Sequence, residues 1–174
     1  VTIWDNLSGK GYTTTDGMSL TPIPVPFDSS IADIGNNYTV LFDPNTSSVY
    51  RTTDMINLQL MQTLSYTCVW QAACYGDGKI VAVSDNVSSV STDGGFTWTK
   101  YQIPGIFRTQ VAHNVWTSIA YGNGKFVAVR ADATTAVSSD GGVTWTVGLL
   151  VDPSVYSQLS VPNENMLGNT IVYG

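Results

Sequence analysis

Four short stretches of the chain bring oxygen-bearing side chains together: Asp5-Asn6, Asp43-Pro44-Asn45, Asp85-Asn86 and Arg130-Ala131-Asp132. Carboxylate and carboxamide oxygens gathered around one opening could hold the hydroxyls of a sugar, or Ca²⁺ through hard oxygen ligands. The same residues are common turn formers, because Asp and Asn side chains bond the backbone of their own turns. Both readings stand at this point. A second set lies between Ile103 and Trp116, where Arg108, Gln110, His113 and Asn114 occur. Arg108 could clamp a carboxylate with its planar fork or make a local ion pair. His113 is the only histidine, so acid–base or metal chemistry would rest on it alone, against the plain alternative of a hydrogen-bonded loop residue. The candidate ligand residues are therefore Asp43, Asn45, Asp85, Asn86, Arg108, His113, Arg130 and Asp132. No catalytic set, cofactor or metal is expected.

Composition narrows the field. The chain has 174 residues, 43% of them hydrophobic and only 11% charged, against roughly 25% charged in an average soluble domain. Its net charge is -6 with seven Lys and Arg, which argues against a nucleic-acid groove or a polybasic membrane patch. No apolar run reaches the roughly 18 residues that a membrane helix needs. No P-loop, H-E-x-x-H, G-x-S-x-G or C-x-x-C is present. Cys68 and Cys74, six apart on one strand, would be about 20 Å apart at roughly 3.3 Å per residue, too far for a bridge. They read as two buried thiols, compatible with a reducing compartment. Four Asn-x-Ser/Thr sequons, at Asn6, Asn37, Asn45 and Asn86, are what a Ser- and Thr-rich chain produces by chance.

The elements that must position these residues come from a repeat. Ser91-Thr-Asp93-Gly-Gly95-Phe-Thr-Trp98 returns as Ser138-Ser-Asp140-Gly-Gly142-Val-Thr-Trp145, with 47 residues between the aspartates. Upstream, Trp70-Gln-Ala-Ala-Cys-Tyr-Gly-Asp-Gly-Lys-Ile-Val-Ala-Val83 returns as Trp116-Thr-Ser-Ile-Ala-Tyr-Gly-Asn-Gly-Lys-Phe-Val-Ala-Val129. Each unit predicts four strands: one ending at Tyr-Gly, a type I′ turn at Asp-Gly or Asn-Gly, an apolar strand, a Ser-rich strand, then a second tight turn into the last. A four-stranded unit of about 40 to 50 residues, repeated, signals a β-propeller blade. Worn copies precede it: Gly11 to Gly17 and Ser48 to Asp54 hold turn aspartates, and Pro22, Pro24 and Pro26 suit an outer edge strand. Tyr156 to Ser160 and Asn169 to Tyr173 read as a further first and second strand. The expectation is one all-β domain over 1–174, with repeats near 1–27, 28–65, 66–105, 106–150 and a partial one at 151–174. Because propellers usually have four to eight blades, a piece of a longer ring is favoured over a small closed one.

The pattern S-x-D-G-G-x-T-W resembles the Asp-box, or bacterial neuraminidase repeat, of sialidases, xyloglucanases, sorting receptors, photosystem assembly factors and phage virion proteins. The resemblance implies that Ser91, Asp93, Gly95, Trp98, Ser138, Asp140, Gly142 and Trp145 are structural turn residues, away from any active site. It places ligand sites on the opposite face, made by the loops between second and third strands and the connections between blades. Trp70 and Trp116 begin innermost strands there, to stack on sugar or to pack between blades. Sialidases of this family clamp a carboxylate with three arginines, one in an Arg-Ile-Pro motif, and use a Tyr-Glu pair. This chain has only Arg51, Arg108 and Arg130, no Arg-Ile-Pro, and Glu164 as its one glutamate. Arg51 lies beside a worn turn, the wrong place for that clamp. The two aspartates of the xyloglucanase type have no motif here.

The blade sequence looks most like the propellers of phage tail, neck and fibre proteins. That likeness implies a non-enzymatic structural or attachment module of a virion, in contact with other virion proteins, able to form oligomers, and binding host-surface glycan on the Asp/Asn loop face. Two further readings are a fragment of an Asp-box glycoside hydrolase and a protein-binding assembly factor.

Overall fold

A computed structural model describes residues 2–5, 10–22, 30–34, 38–43, 46–54, 56–64, 70–105, 116–130 and 134–149. Of the sequence expectations, those on Asn6, Asn37, Asn45, Cys68, Arg108, His113, Asp132, Glu164 and the two strands after residue 150 lie outside the described residues.

Among the described residues, fifteen strands form four antiparallel sheets, each built from consecutive segments. The first holds β1 (Thr2–Asp5), β2 (Lys10–Thr13) and β3 (Thr21–Pro22), in that order. Pro22 sits on its outer strand, where a missing amide leaves no ladder bond unmade. The second holds β4 (Ser30–Ile34), β5 (Tyr38–Phe42), β6 (Ser48–Thr52) and β7 (Gln59–Thr63). The third holds β8 (Ala72–Gly76), β9 (Lys79–Ser84), β10 (Val87–Ser91) and β11 (Thr99–Gln102). The fourth holds β12 (Trp116–Gly122), β13 (Lys125–Arg130), β14 (Thr134–Ser138) and β15 (Thr146–Leu149). Each four-stranded sheet pairs its strands in chain order. Both Asp77-Gly78 and Asn123-Gly124 take positive φ at both central positions, the type I′ geometry that the strand twist favours.

Sheets two, three and four stack side by side through their first strands, β4 on β8 and β8 on β12. Two apolar layers fill the boundaries. Between the second and third sheets, Val40, Phe42, Val49 and Leu64 meet Trp70, Ile80, Ala82, Val87 and Trp98. Between the third and fourth, Val81, Val83, Val90 and Ile103 meet Trp116, Ile119, Phe126, Ala128 and Trp145. Alternation along β9 explains both: Ile80 and Ala82 face one neighbour, Val81 and Val83 the other, and all four are buried. Trp70 packs at 5.7 Å from the Phe42 ring, so both repeat tryptophans that begin inner strands are core residues here.

The Ser-rich third strand is wholly buried. In β10, Ser88, Ser89 and Ser91 are each at most 1% exposed, their small side chains letting adjacent sheets approach. Gly142 serves the same end. It has φ +89°, and a Cβ there would meet Val81 and Val90 of the neighbouring sheet at 2.8 and 3.0 Å. Cys74 is a half-buried free thiol. Burial raises its pKa, partly offset by the backbone of Tyr121. No helix of the described residues is long and apolar enough to cross a membrane.

Candidate functional site

Strand order divides the molecule into two faces. One carries the ends of second strands, the starts of first strands and the links between sheets. The other carries the Asp-Gly type turns and the repeated Ser/Thr-x-Asp turns.

On the first face the sequence candidates are scattered in role. Asp43 is buried; its Oδ2 accepts the Thr46 hydroxyl at 2.6 Å, and its backbone closes the loop onto Ser47 and Ser48. Asp85 is exposed at the tip of a two-residue turn with φ +38°. The carbonyl of Asn86 accepts the amide of Ile103 at 2.7 Å, tying the link between sheets to this turn. Arg130 is buried opposite Trp116 in the ladder, with its guanidinium carbon 5.5 Å from the Trp116 ring. The indole N–H of Trp116 is buried without a hydrogen-bond acceptor among the described residues. Among the described residues no three His, Cys, Asp or Glu side chains stand close enough to hold a metal ion.

On the second face a single turn design occurs four times. In the third sheet the Ser91 hydroxyl donates to Asp93 Oδ1 at 2.8 Å and accepts the Gly95 amide at 2.8 Å. Asp93 also accepts the Thr97 amide and hydroxyl at 2.9 and 2.6 Å, and Trp98 donates its indole N–H to the Gly95 carbonyl at 3.0 Å. Ser138, Asp140, Gly142, Thr144 and Trp145 repeat every one of these bonds. The worn copies keep the carboxylate: Asp54 accepts the amides of Ile56 and Asn57, and Asp16 those of Met18 and Ser19. Thr52 and Thr14 stand where the serines do and donate to those carboxylates.

This wiring sets the acidity of all four groups. For Asp140, partial burial resists ionisation, but the Thr144 hydroxyl and amide, Ser138 and Val143 outweigh it and bring the pKa down to about 2. For Asp93, burial likewise works upward and the Thr97, Ser91 and Phe96 donors prevail, lowering it. The Ser19 and Met18 amides hold Asp16 well below the usual carboxylate range, and the Asn57 and Ile56 amides do so for Asp54. These carboxylates are committed to their turns and are poor candidates for proton transfer near neutral pH.

The sequence reading missed what the turns display. The residue two or three places beyond each aspartate is apolar and sits at the tip: Met18, Ile56 and Phe96 are 90, 65 and 49% exposed, and Val143 is half-buried. The signal was present in the repeat alignment, at the variable position inside S-x-D-G-G-x-T-W. Leu20 and Leu60, on and beside the outer strands, add exposed apolar surface.

No family model matches the chain, and no curated relative matches it. Solved structures do. The chain is 17% identical to a catalytically inactive virginiamycin B lyase variant from Staphylococcus aureus with quinupristin, with a TM-score of 0.63 over 87% of this chain and 53% of that one. It is 15% identical to a streptogramin B lyase, with a TM-score of 0.63 over 85% of this chain and 50% of the lyase. It is 16% identical to YCF48 from Cyanidioschyzon merolae, with a TM-score of 0.53 over 72% of this chain and 38% of YCF48. The chain thus spans about half the length of the lyases it matches. These comparisons overturn the expectation of a non-enzymatic phage virion module that binds glycan, because the propellers it resembles include lyases, which are enzymes. The repeat that suggested a virion protein encodes the blade itself, its turns and buried strand residues such as Ser88, Ser89 and Ser91, and carries no information about what the blade serves. The fold is all-β and propeller-like, with three four-stranded antiparallel sheets and one three-stranded sheet among the described residues.

Proposed function

We propose that the chain is part of an Asp-box type propeller that docks a protein partner on its turn-side face. The observation that carries this reading is the set of exposed apolar tips, Met18, Ile56 and Phe96, each two or three residues beyond the aspartate of its own turn. Single exposed apolar residues are ordinary on protein surfaces, whereas a patterned set held on rigid turns is what recognition surfaces use. The turns are rigid because each aspartate ties its own loop, so partner binding would order little backbone. A photo-cross-linking residue at position 96, introduced in the organism that makes the protein, should give a discrete adduct. Met18→Ser with Ile56→Ser should abolish it, and the same probe at position 85 should give none. Adducts from position 85 alone would overturn the reading.

One observation favours a second reading, chemistry on the opposite face. The buried indole N–H of Trp116, beside Arg130 and without an acceptor among the described residues, is a donor that a ligand carbonyl could satisfy. Loss of quinupristin on incubation with the full protein, abolished by Trp116→Phe, would support it. An unchanged antibiotic would remove it.

A further inference from the structure

Resting on the docking face above, we propose that Arg51 anchors a partner's acidic side chain there, an aspartate or glutamate carboxylate flanked by apolar residues. Arg51 lies on β6, paired with Val40 on one side and Gln59 on the other. Its guanidinium carbon rests 3.6 Å from the centre of the Tyr38 ring and 5.6 Å from that of Phe96. The guanidinium therefore lies over both a tyrosine of the second sheet and the turn tip of the third. Stacking fixes a guanidinium while leaving its edge N–H groups available for a planar acceptor. Gly94 makes the approach possible: a Cβ there would stand 2.9 Å from the Tyr38 hydroxyl and 3.5 Å from Arg51 Nη1.

Among the described residues the fork has no counter-ion. Lys79 with Asp77 is the ion pair found among the described residues, and none involves Arg51. The carboxylates of the turn after β6 and of the turn that carries Phe96, Asp54 and Asp93, are engaged by their own amides and hydroxyls. Beside Arg51 opens a cavity of about 480 Å³ lined by Thr52, Thr53, Asn57, Leu58 and Gln59. Ile56, Leu60 and Phe96 supply exposed apolar surface around it. In a chain of net charge -6, a stacked guanidinium that has no counter-ion among the described residues and lies beside exposed apolar side chains selects a carboxylate by charge and by geometry.

The test uses the full chain with two probes, N-acetyl-Leu-Glu-Leu-amide and its Gln counterpart, followed by NMR. The Glu peptide should perturb the Arg51 Nε–H and the Phe96 ring, and bind about tenfold more tightly than the Gln peptide, as expected of a bidentate charged contact. Arg51→Gln should equalise the two, and Arg51→Lys should keep part of the preference, with melting temperatures confirming that both variants fold. Equal binding of the two peptides to the native chain, or a Glu preference that survives Arg51→Gln, would overturn the anchor. If both peptides perturb Ile56 and Phe96 equally, the anchor falls while the docking face stands. If neither does, the anchor falls too, and cross-linking from position 96 decides the face by itself.

Discussion

The indole N–H of Trp145 lies 3.0 Å from the hydroxyl oxygen of Ser88, across the boundary between the third and fourth sheets and 57 residues away in sequence. Ser88 in turn donates to the Gly142 carbonyl at 2.8 Å. The repeated turn of one sheet is thus latched onto the third strand of the sheet before it.

Ser88→Ala removes that latch inside a buried boundary. Trp145 keeps its bond to the Gly142 carbonyl, so the loss is one donor and one acceptor rather than a stranded indole. The expected cost is about 1–2 kcal/mol, read as a lower urea midpoint with unchanged slope. A midpoint equal to that of the unaltered chain would show that the latch contributes nothing.

Gly142→Ala and Asp140→Ala separate packing from hydrogen bonding within one turn. The alanine at 142 meets Val81 and Val90 at positive φ, a strain and overpacking cost of about 2–4 kcal/mol. Losing the Asp140 carboxylate releases bonds that are largely exposed, so about 1 kcal/mol is expected after screening by solvent. Chemical denaturation should rank the two in that order; the reverse order would place the turn's stability in its carboxylate.

Acid should unfold the chain through its turn aspartates. Their folded pKa values lie below the ordinary value, so the unfolded state binds protons first as pH falls. The stability they supply is therefore complete above the unfolded value of 3.8 and lost as pH drops toward about 2 for Asp140. Melting temperature should be flat in this respect from pH 7 to pH 5 and fall steeply below pH 4, less steeply in Asp140→Ala. A slope unaffected by that substitution would detach acid unfolding from this turn.

Much of the fold is legible in the sequence because its signals are local. Asp77-Gly78 and Asn123-Gly124 announce their turns by residue type alone, and S-x-D-G-G-x-T-W encodes bonds that span at most four residues. The worn turn at Asp54 was harder to weigh, since Met55 and Ile56 replace the glycines, yet the carboxylate still closes it. What resisted reading is contact between repeats. Arg51 gains its meaning from Tyr38 and Phe96, which lie on two different sheets, and Ser88 from Trp145. Asp43 shows the opposite hazard: a residue type suited to ligands is occupied within its own loop.

Each boundary layer draws its side chains only from two adjacent sheets. Resistance to opening is therefore shared between neighbours rather than pooled in one centre. The third sheet, whose β9 feeds both layers, is clamped on both flanks. Its amides should therefore exchange more slowly in deuterated solvent than those of a sheet packed on one side. The exposed tip at Phe96 and the turn that abuts Arg51 are mounted on this doubly packed sheet, a firm footing for a surface that must keep its shape between encounters.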